Sequence, residues 1–313
     1  MSKNNTTGRQ ANIDILRAIF MVSVIAAHTV HLIENPVISF IWKKFTCFGV
    51  VGFFITSGYF YKRKKGDTIS FWKKKFVSII VPWIFCSFIT YLISNIHNWT
   101  LVGYIKWFLG SGTWYYYITI LLTCMIIFKV ANRKYLLIIA IALNCISLLL
   151  GQTNLDILNI FATPYLNVFN WMGFFALGIL LQDKLYISTK TFIVCLIGYL
   201  LTCVCIHFYN LTGYFNIFSA INSVCLVTIF YKISGKLIKM KFLSSIGKNT
   251  YTIYLLHMNI AQFVCKNICG FWIIDAMLPL IGLTVMILLI YLGKTFCKIL
   301  PKGEYLIKLV GLR

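Results

Sequence analysis

Residues 12–33 read NIDILRAIFMVSVIAAHTVHLI. The run is long enough to cross a bilayer core, which takes about 20 apolar residues of helix. It carries Asp14 and Arg17 near one end and His28 and His31 near the other. At roughly 100° per residue, the step from Arg17 to His28 returns to within about 20° of the same direction. The two side chains therefore share a face and stand roughly 16 Å apart along the axis. Asp14 lies one turn before Arg17 and His31 one turn after His28, so all four fall on one stripe. The opposite face is Ile, Phe, Val and Ala. Ionisable groups in a membrane helix are costly and face a bundle interior or a water-filled cavity. An Asp14–Arg17 pair near a helix end is also an ordinary ion pair that reaches to the interface. His28 is deeper, which makes it the stronger candidate for chemistry, while His31 lies towards the outer interface.

The rest of the chain asks for the same solvent. Of 313 residues, 60% are hydrophobic and 12% charged, against roughly 25% charged in ordinary soluble domains. The mean hydropathy is +0.84. A soluble fold of this length has no interior large enough for so much apolar surface. The expected fold is an all-α polytopic membrane protein of about ten transmembrane helices, near 13–33, 45–61, 76–96, 113–130, 135–151, 167–182, 190–209, 214–231, 247–265 and 273–297. One transmembrane domain spans 1–313, with a short cytoplasmic N-terminus at 1–11 and a short basic cytoplasmic tail at 298–313. No cleavable signal peptide is expected, because the first span lacks a small-residue cleavage site and runs into further spans.

An even count puts both termini on one side. With the termini inside, only Lys43, Lys44, Lys106 and Lys266 of the 29 basic residues fall outside. Excess Lys and Arg in cytoplasmic loops sets orientation, so the termini are expected to be N-in and C-in. The net charge of +22 belongs to these short inside clusters, which argues against nucleic acid as a partner. Most of the 11 cysteines lie within apolar spans, where Cys behaves as a small hydrophobe. None has zinc-ligand company, and no disulfide is assigned to Cys265 and Cys269. The stretch 97–112 is read as an outside loop, with Trp99 and Trp107 in an interfacial belt.

Three further segments carry polar groups. Phe53-Phe54-Ile55-Thr56-Ser57-Gly58-Tyr59 ends the second span, where Gly and Ser permit close helix contact. Lys62-Arg63-Lys64-Lys65 and Lys73-Lys74-Lys75 flank one inside loop; they serve topology, or a polyanionic ligand at the cytoplasmic face. In Gly247-Lys248-Asn249-Thr250-Tyr251-Thr252-Ile253-Tyr254-Leu255-Leu256-His257, the residues Lys248, Tyr251, Tyr254 and His257 recur every three positions. His257 and the Tyr one turn earlier are expected to form a hydrogen-bonding pair. His97 and His207 are read as interfacial.

Taken together, these segments resemble the acyltransferase family 3 membrane proteins, integral-membrane O-acyltransferases common in bacteria. The resemblance rests on Asn12 to Arg17 with His28, on Phe53 to Tyr59, and on Ile246 to Tyr251 running into Ile253 to His257. It covers almost the whole chain. Lys73-Lys74-Lys75 stands where the family often has arginines, and lysine lacks the bidentate fork. Trp114-Tyr115 stands where the family has a Trp-Phe segment. The resemblance implies a multi-pass protein of the bacterial plasma membrane and a cytoplasmic acyl-CoA donor, above all acetyl-CoA, with no permanently bound cofactor and no metal. The acceptor it implies is a hydroxyl of a surface polysaccharide or a lipid-linked glycan precursor. His28 would be general base or transient acyl carrier, with Arg17 on the donor and Asp14 fixing Arg17. Lys73, Lys74 and Lys75 would hold donor phosphates, and Ser57, Trp114, Tyr254 and His257 would contact substrate. Some family members carry a fused extracellular domain; this chain ends at 313 without one, so a second protein, or none, would complete transfer. The rival reading is a transporter whose Arg17 and His28 stripe lines a solute path.

Overall fold

The computed structural model describes residues 3–61, 68–130, 133–151, 163–182, 187–211, 213–237, 240–301 and 303–312, with side chains outside 3–10, 68 and 130. The basic residues 62–65 lie outside the described residues. The described chain is helical, with no strand among the described residues. Helix α1 is Lys3–Thr29, continued by a 3-10 turn at Val30–Leu32. Short α2, Pro36–Lys43, leads into α3, Phe48–Tyr59. Helix α4, Thr68–Lys75, passes through a π-turn, Phe76–Ile80, into α5, Val81–Ser94. Then come α6, Leu101–Leu109, α7, Tyr116–Val130, α8, Lys134–Leu150, and α9, Met172–Leu180. The bundle is completed by α10, Thr189–Phe208, α11, Ile217–Lys236, α12, Lys241–Ile268, and α13, Trp272–Ile299, with α14, Gly303–Leu309, in the tail.

Every one of the ten expected segments contains a helix. Six helical stretches are by themselves long and apolar enough to cross a membrane: Ala11–Leu32, Pro36–Tyr59, Ile69–Ser94, Thr189–Phe208, Ile217–Lys236 and Trp272–Ile299. Helices α7 and α8 are apolar but short, and α9 has only nine residues. Helix α12 is long but too polar, because Ser244, Lys248, Asn249, Thr250, Thr252, His257, Asn259 and Gln262 interrupt it. Half of the expected outside loop at 97–112 is helix α6, capped by Thr100, whose hydroxyl accepts from the Gly103 N–H, and ended by Gly110 at φ +91°. Trp99 is exposed, while Trp107 is half-buried with its ring edge-on against Trp114, centroids 5.5 Å apart.

Helix α1 is the axis of the bundle. Ile13, Ile15, Leu16, Ala18, Phe20, Met21, Ile25 and Ala26 are buried, so its apolar face meets protein rather than lipid. Its neighbours are α12, α3, α13 and α11. Small residues let these helices touch. A Cβ at Gly247 of α12 would run into the backbone carbonyl of Asp14 on α1. Gly58 of α3 and Gly178 of α9 each face the other helix's backbone, at Phe175 and Ile55.

One buried carboxylate ties distant loops together. Asp275, 1% exposed at the start of α13, accepts from the N–H groups of Glu34 (3.2 Å), Asn35 (3.5 Å) and Gly270 (3.1 Å). It thereby fastens the α1–α2 loop to the α12–α13 loop, and Asn35 in turn caps α2 through the N–H groups of Val37 and Ile38. Removing an acceptor leaves buried donors unsatisfied, at about 1–3 kcal/mol. Asp275→Ala is therefore expected to lower stability by that amount, read as an earlier thermal unfolding midpoint of the purified protein in detergent.

Candidate functional site

The stripe on α1 is present as a physical surface. Arg17 and Asp14 form an ion pair at 3.7 Å, both partly buried. The Arg17 guanidinium lies 5.1 Å from the centre of the Phe60 ring, a cation–π contact that gains weight out of water. Arg17 opens into a cavity of about 190 Å³. Helix α3 and its cap give this cavity Ser57 and Phe60, the last residue of α4 gives Lys75, α7 gives Tyr117, and α12 gives Lys248 and Tyr254. Three cations from three separate parts of the chain thus line one space, and among the described residues none that lines it is acidic.

The basic run before α5 is divided. Lys75 reaches the cavity, while Lys73 and Lys74 are exposed and do not line it. The dividing device is the π-turn at Phe76–Ile80. It precedes Pro82, which has no N–H to give and whose ring crowds the carbonyl one turn back. A widened turn accommodates both defects. Phe71 steadies the edge of the site, with the ammonium groups of Lys75 and Lys129 each 5.6 Å from its ring centre.

Past the cations, the cavity ends against aromatic side chains. Ser57 and Tyr117 share a hydroxyl–hydroxyl hydrogen bond of 3.2 Å. Tyr117 packs on Tyr254, centroids 5.3 Å apart, and the Tyr254 hydroxyl donates to the backbone carbonyl of Trp114. Behind this collar lie the two histidines. His28 on α1 and His257 on α12 stand with ring centroids 5.1 Å apart. His257 is fully buried and lies 5.5 Å from Tyr254 and 6.1 Å from Trp114.

His257 Nδ1 is 2.7 Å from the Tyr254 carbonyl oxygen. A carbonyl only accepts, so Nδ1 carries the proton and Nε2 of the neutral ring is a bare acceptor. That nitrogen has no hydrogen-bond partner among the described residues. The expected Tyr–His pair thus takes a different form: the bond runs to the Tyr254 carbonyl, and the Tyr254 hydroxyl is committed to Trp114. A side-chain bond between them does not form because the helix already brings the residue-254 carbonyl under the ring of residue 257, and the Tyr hydroxyl reaches past it to the Trp114 carbonyl just before α7.

The predicted residues fall into three groups. Arg17, Ser57, Lys75 and Tyr254 line the cavity; Asp14 braces Arg17; His28, Trp114 and His257 cluster beyond the collar. Lys73 and Lys74 stay at the surface, and His31 is exposed. Lys248, Tyr251 and Tyr117 join the cavity without having been singled out as ligand-binding. For the first two, the signal was the three-residue stride from Lys248 to His257, which drifts around α12 from the cavity mouth to the imidazoles. Tyr117 had no such signal. Among the described residues no cluster of His, Cys, Asp or Glu can hold a metal ion, and every cysteine is free.

Apolar spans around a cationic cavity and an imidazole pair define a multi-pass membrane protein with an internal polar site. Residues 10–294 match the acyltransferase domain family, nearly the whole chain, and the chain belongs to that family. It is, in class, a membrane acyltransferase. No match was found among the curated proteins or the solved structures.

The alignment of α1 with α12 depends on Gly247. Gly247→Val places branched carbon against the Asp14 backbone, and overpacking of this kind costs typically about 1–3 kcal/mol. The variant is expected to unfold earlier and to lose acyl transfer more than stability, because Lys248, Tyr254 and His257 move relative to Arg17 and His28. Comparing thermal midpoints and transfer rates for wild type and variant checks both.

Proposed function

We propose that this protein is an O-acetyltransferase that moves the acetyl group of cytoplasmic acetyl-CoA to a hydroxyl of a surface polysaccharide or its lipid-linked precursor, in a bacterial plasma membrane with both termini inside. The single observation that carries the reading is the succession of Arg17, Lys75 and Lys248 around a cavity whose inner wall, Tyr117 and Tyr254, adjoins the His28–His257 pair. The donor's phosphates are polyanionic, and clustered cations in a partly enclosed site attract such a group more strongly than the same charges in open water. Its slender thioester arm points from there at the collar, and Tyr117 and Tyr254 must part for the thioester to reach His28. The Arg17 end of α1 is the end richer in cations, which favours entry from the cytoplasm.

In this mechanism His28 is the general base. Its ring nitrogen takes the proton of the acceptor hydroxyl as the oxygen attacks the thioester carbonyl. The carbon–sulfur bond breaks, the ester forms, and the thiolate that leaves recovers the proton from His28 as a thiol. His257 supports this step as a neutral neighbour. Its Nδ1 is held by the Tyr254 carbonyl, which fixes the orientation of the ring beside His28. Asp14 holds Arg17 on the donor side.

General-base catalysis is worth about 10²–10⁴-fold. His28→Ala is expected to cut acetyl transfer from labelled acetyl-CoA by at least about 100-fold while the purified protein keeps its thermal midpoint. Full transfer by the variant would sink the base role. A protein that only carries solutes would release no labelled acetate and acetylate no acceptor in the wild type either.

A further inference from the structure

A second, larger cavity of about 420 Å³ lies at the other end of the bundle, between α2, the end of α10 and the start of α11. Helix α1 runs from Arg17 away to the α1–α2 loop, and α3 runs back from this cavity's edge at Cys47 to Ser57 in the first one. The two sites are therefore separate.

Its chemistry is that of an anion site with an oily border. Lys43 and Lys44 both line it. The Lys44 ammonium lies 4.7 Å from the centre of the Phe40 ring, and the same ring meets His207 edge-on at 6.1 Å. Phe40 thus holds Lys44 and His207 on one rim. The floor is polar and fixed: Ser219 and Asn222 are buried, and the Asn222 amide donates to Thr202 Oγ1 at 3.0 Å. Among the described residues no acidic one lines the cavity, and neither lysine is paired with a carboxylate. With both termini inside, as proposed above, Lys43 and Lys44 are half of the four basic residues left on the outer side. Two adjacent cations there work against the charge bias that orients the chain, so orientation does not explain them.

The border points to a ligand that arrives through the bilayer. Helix α10 is the least buried of the candidate spans, and Val204 and Phe208 near its end are exposed beside the lining residues Ile206 and His207. A soluble anion has no use for such an approach, whereas a lipid has room to lay its chain along α10 with its head group at the cations. Basic pockets between transmembrane helices bind lipid head groups in this way.

We propose that this cavity binds the phosphate head group of a membrane lipid, with Lys43 and Lys44 as its cations and His207 beside them on the rim. Its service as a seat for a lipid-linked acceptor rests on the acyl-transfer reading above; head-group binding itself does not.

The test uses the full chain in detergent micelles, with no acyl donor present, titrated with a polyprenyl monophosphate and followed by native mass spectrometry. Wild type is expected to bind at least about tenfold more tightly than the Lys43→Gln/Lys44→Gln double variant, a difference of about 1.4 kcal/mol. The Lys43→Arg/Lys44→Arg variant keeps the charge and is expected to keep the binding, which separates charge from folding. Equal affinity in wild type and the glutamine variant overturns the proposal. So does inorganic phosphate binding the wild type as tightly as the lipid phosphate.

Discussion

Polar groups inside a bilayer must find each other, and in this protein that requirement falls on two helices. Helix α1 carries Asp14, Arg17 and His28; α12 carries Lys248, Tyr254 and His257. Neither tolerates lipid on its polar side. Their pairing, made close by Gly247 against the Asp14 backbone, puts both polar faces into one interior. The other helices then complete the enclosure. Helix α3 supplies Ser57 and Phe60, α7 supplies Tyr117 and Trp114 precedes it, and α10 is left as the outer wall.

The resulting site is graded rather than uniform. At one end, cations border a space reachable by a charged group. At the other, the two imidazoles sit among aromatic rings, with His257 fully buried. Between them the Tyr254 hydroxyl bridges α12 to the Trp114 carbonyl. In the proposed mechanism, charge recognition and proton transfer want opposite surroundings: the first needs access to water, the second gains from its exclusion. Distance along α1 separates the two needs, because a single straight helix carries Arg17 and His28 on the same face, about three turns apart.

Much of this was legible from residue order. The apolar spans, the polar stripe of α1 and the family segments all follow from local pattern, since helix phase and hydropathy are properties of neighbours in the chain. Other features were not. Helix α2 was read as loop, although Asn35 followed by Pro36 is a helix-start signal in its own right. Residues 247–265 were expected to be a span, yet α12 is too polar to stand alone in lipid; burial against α1 makes that polarity tolerable. The bond from Tyr254 to Trp114 joins residues 140 positions apart, and no local pattern encodes such a contact. The same holds for the choice of Lys75 over Lys73 and Lys74.

That choice traces back to the π-turn at Phe76–Ile80. One extra residue in a turn rotates everything before it by roughly 100° relative to everything after it. The lysine run and the membrane half of α5 are thereby set independently, like two gears on one shaft with a shifted key. The apolar part is indexed to the bundle, where Trp83 and Cys86 are buried. The basic part is indexed to the cavity. In a continuous α-helix the same bundle packing would present a different lysine, so the identity of the contacting cation is encoded in backbone winding as much as in side-chain type.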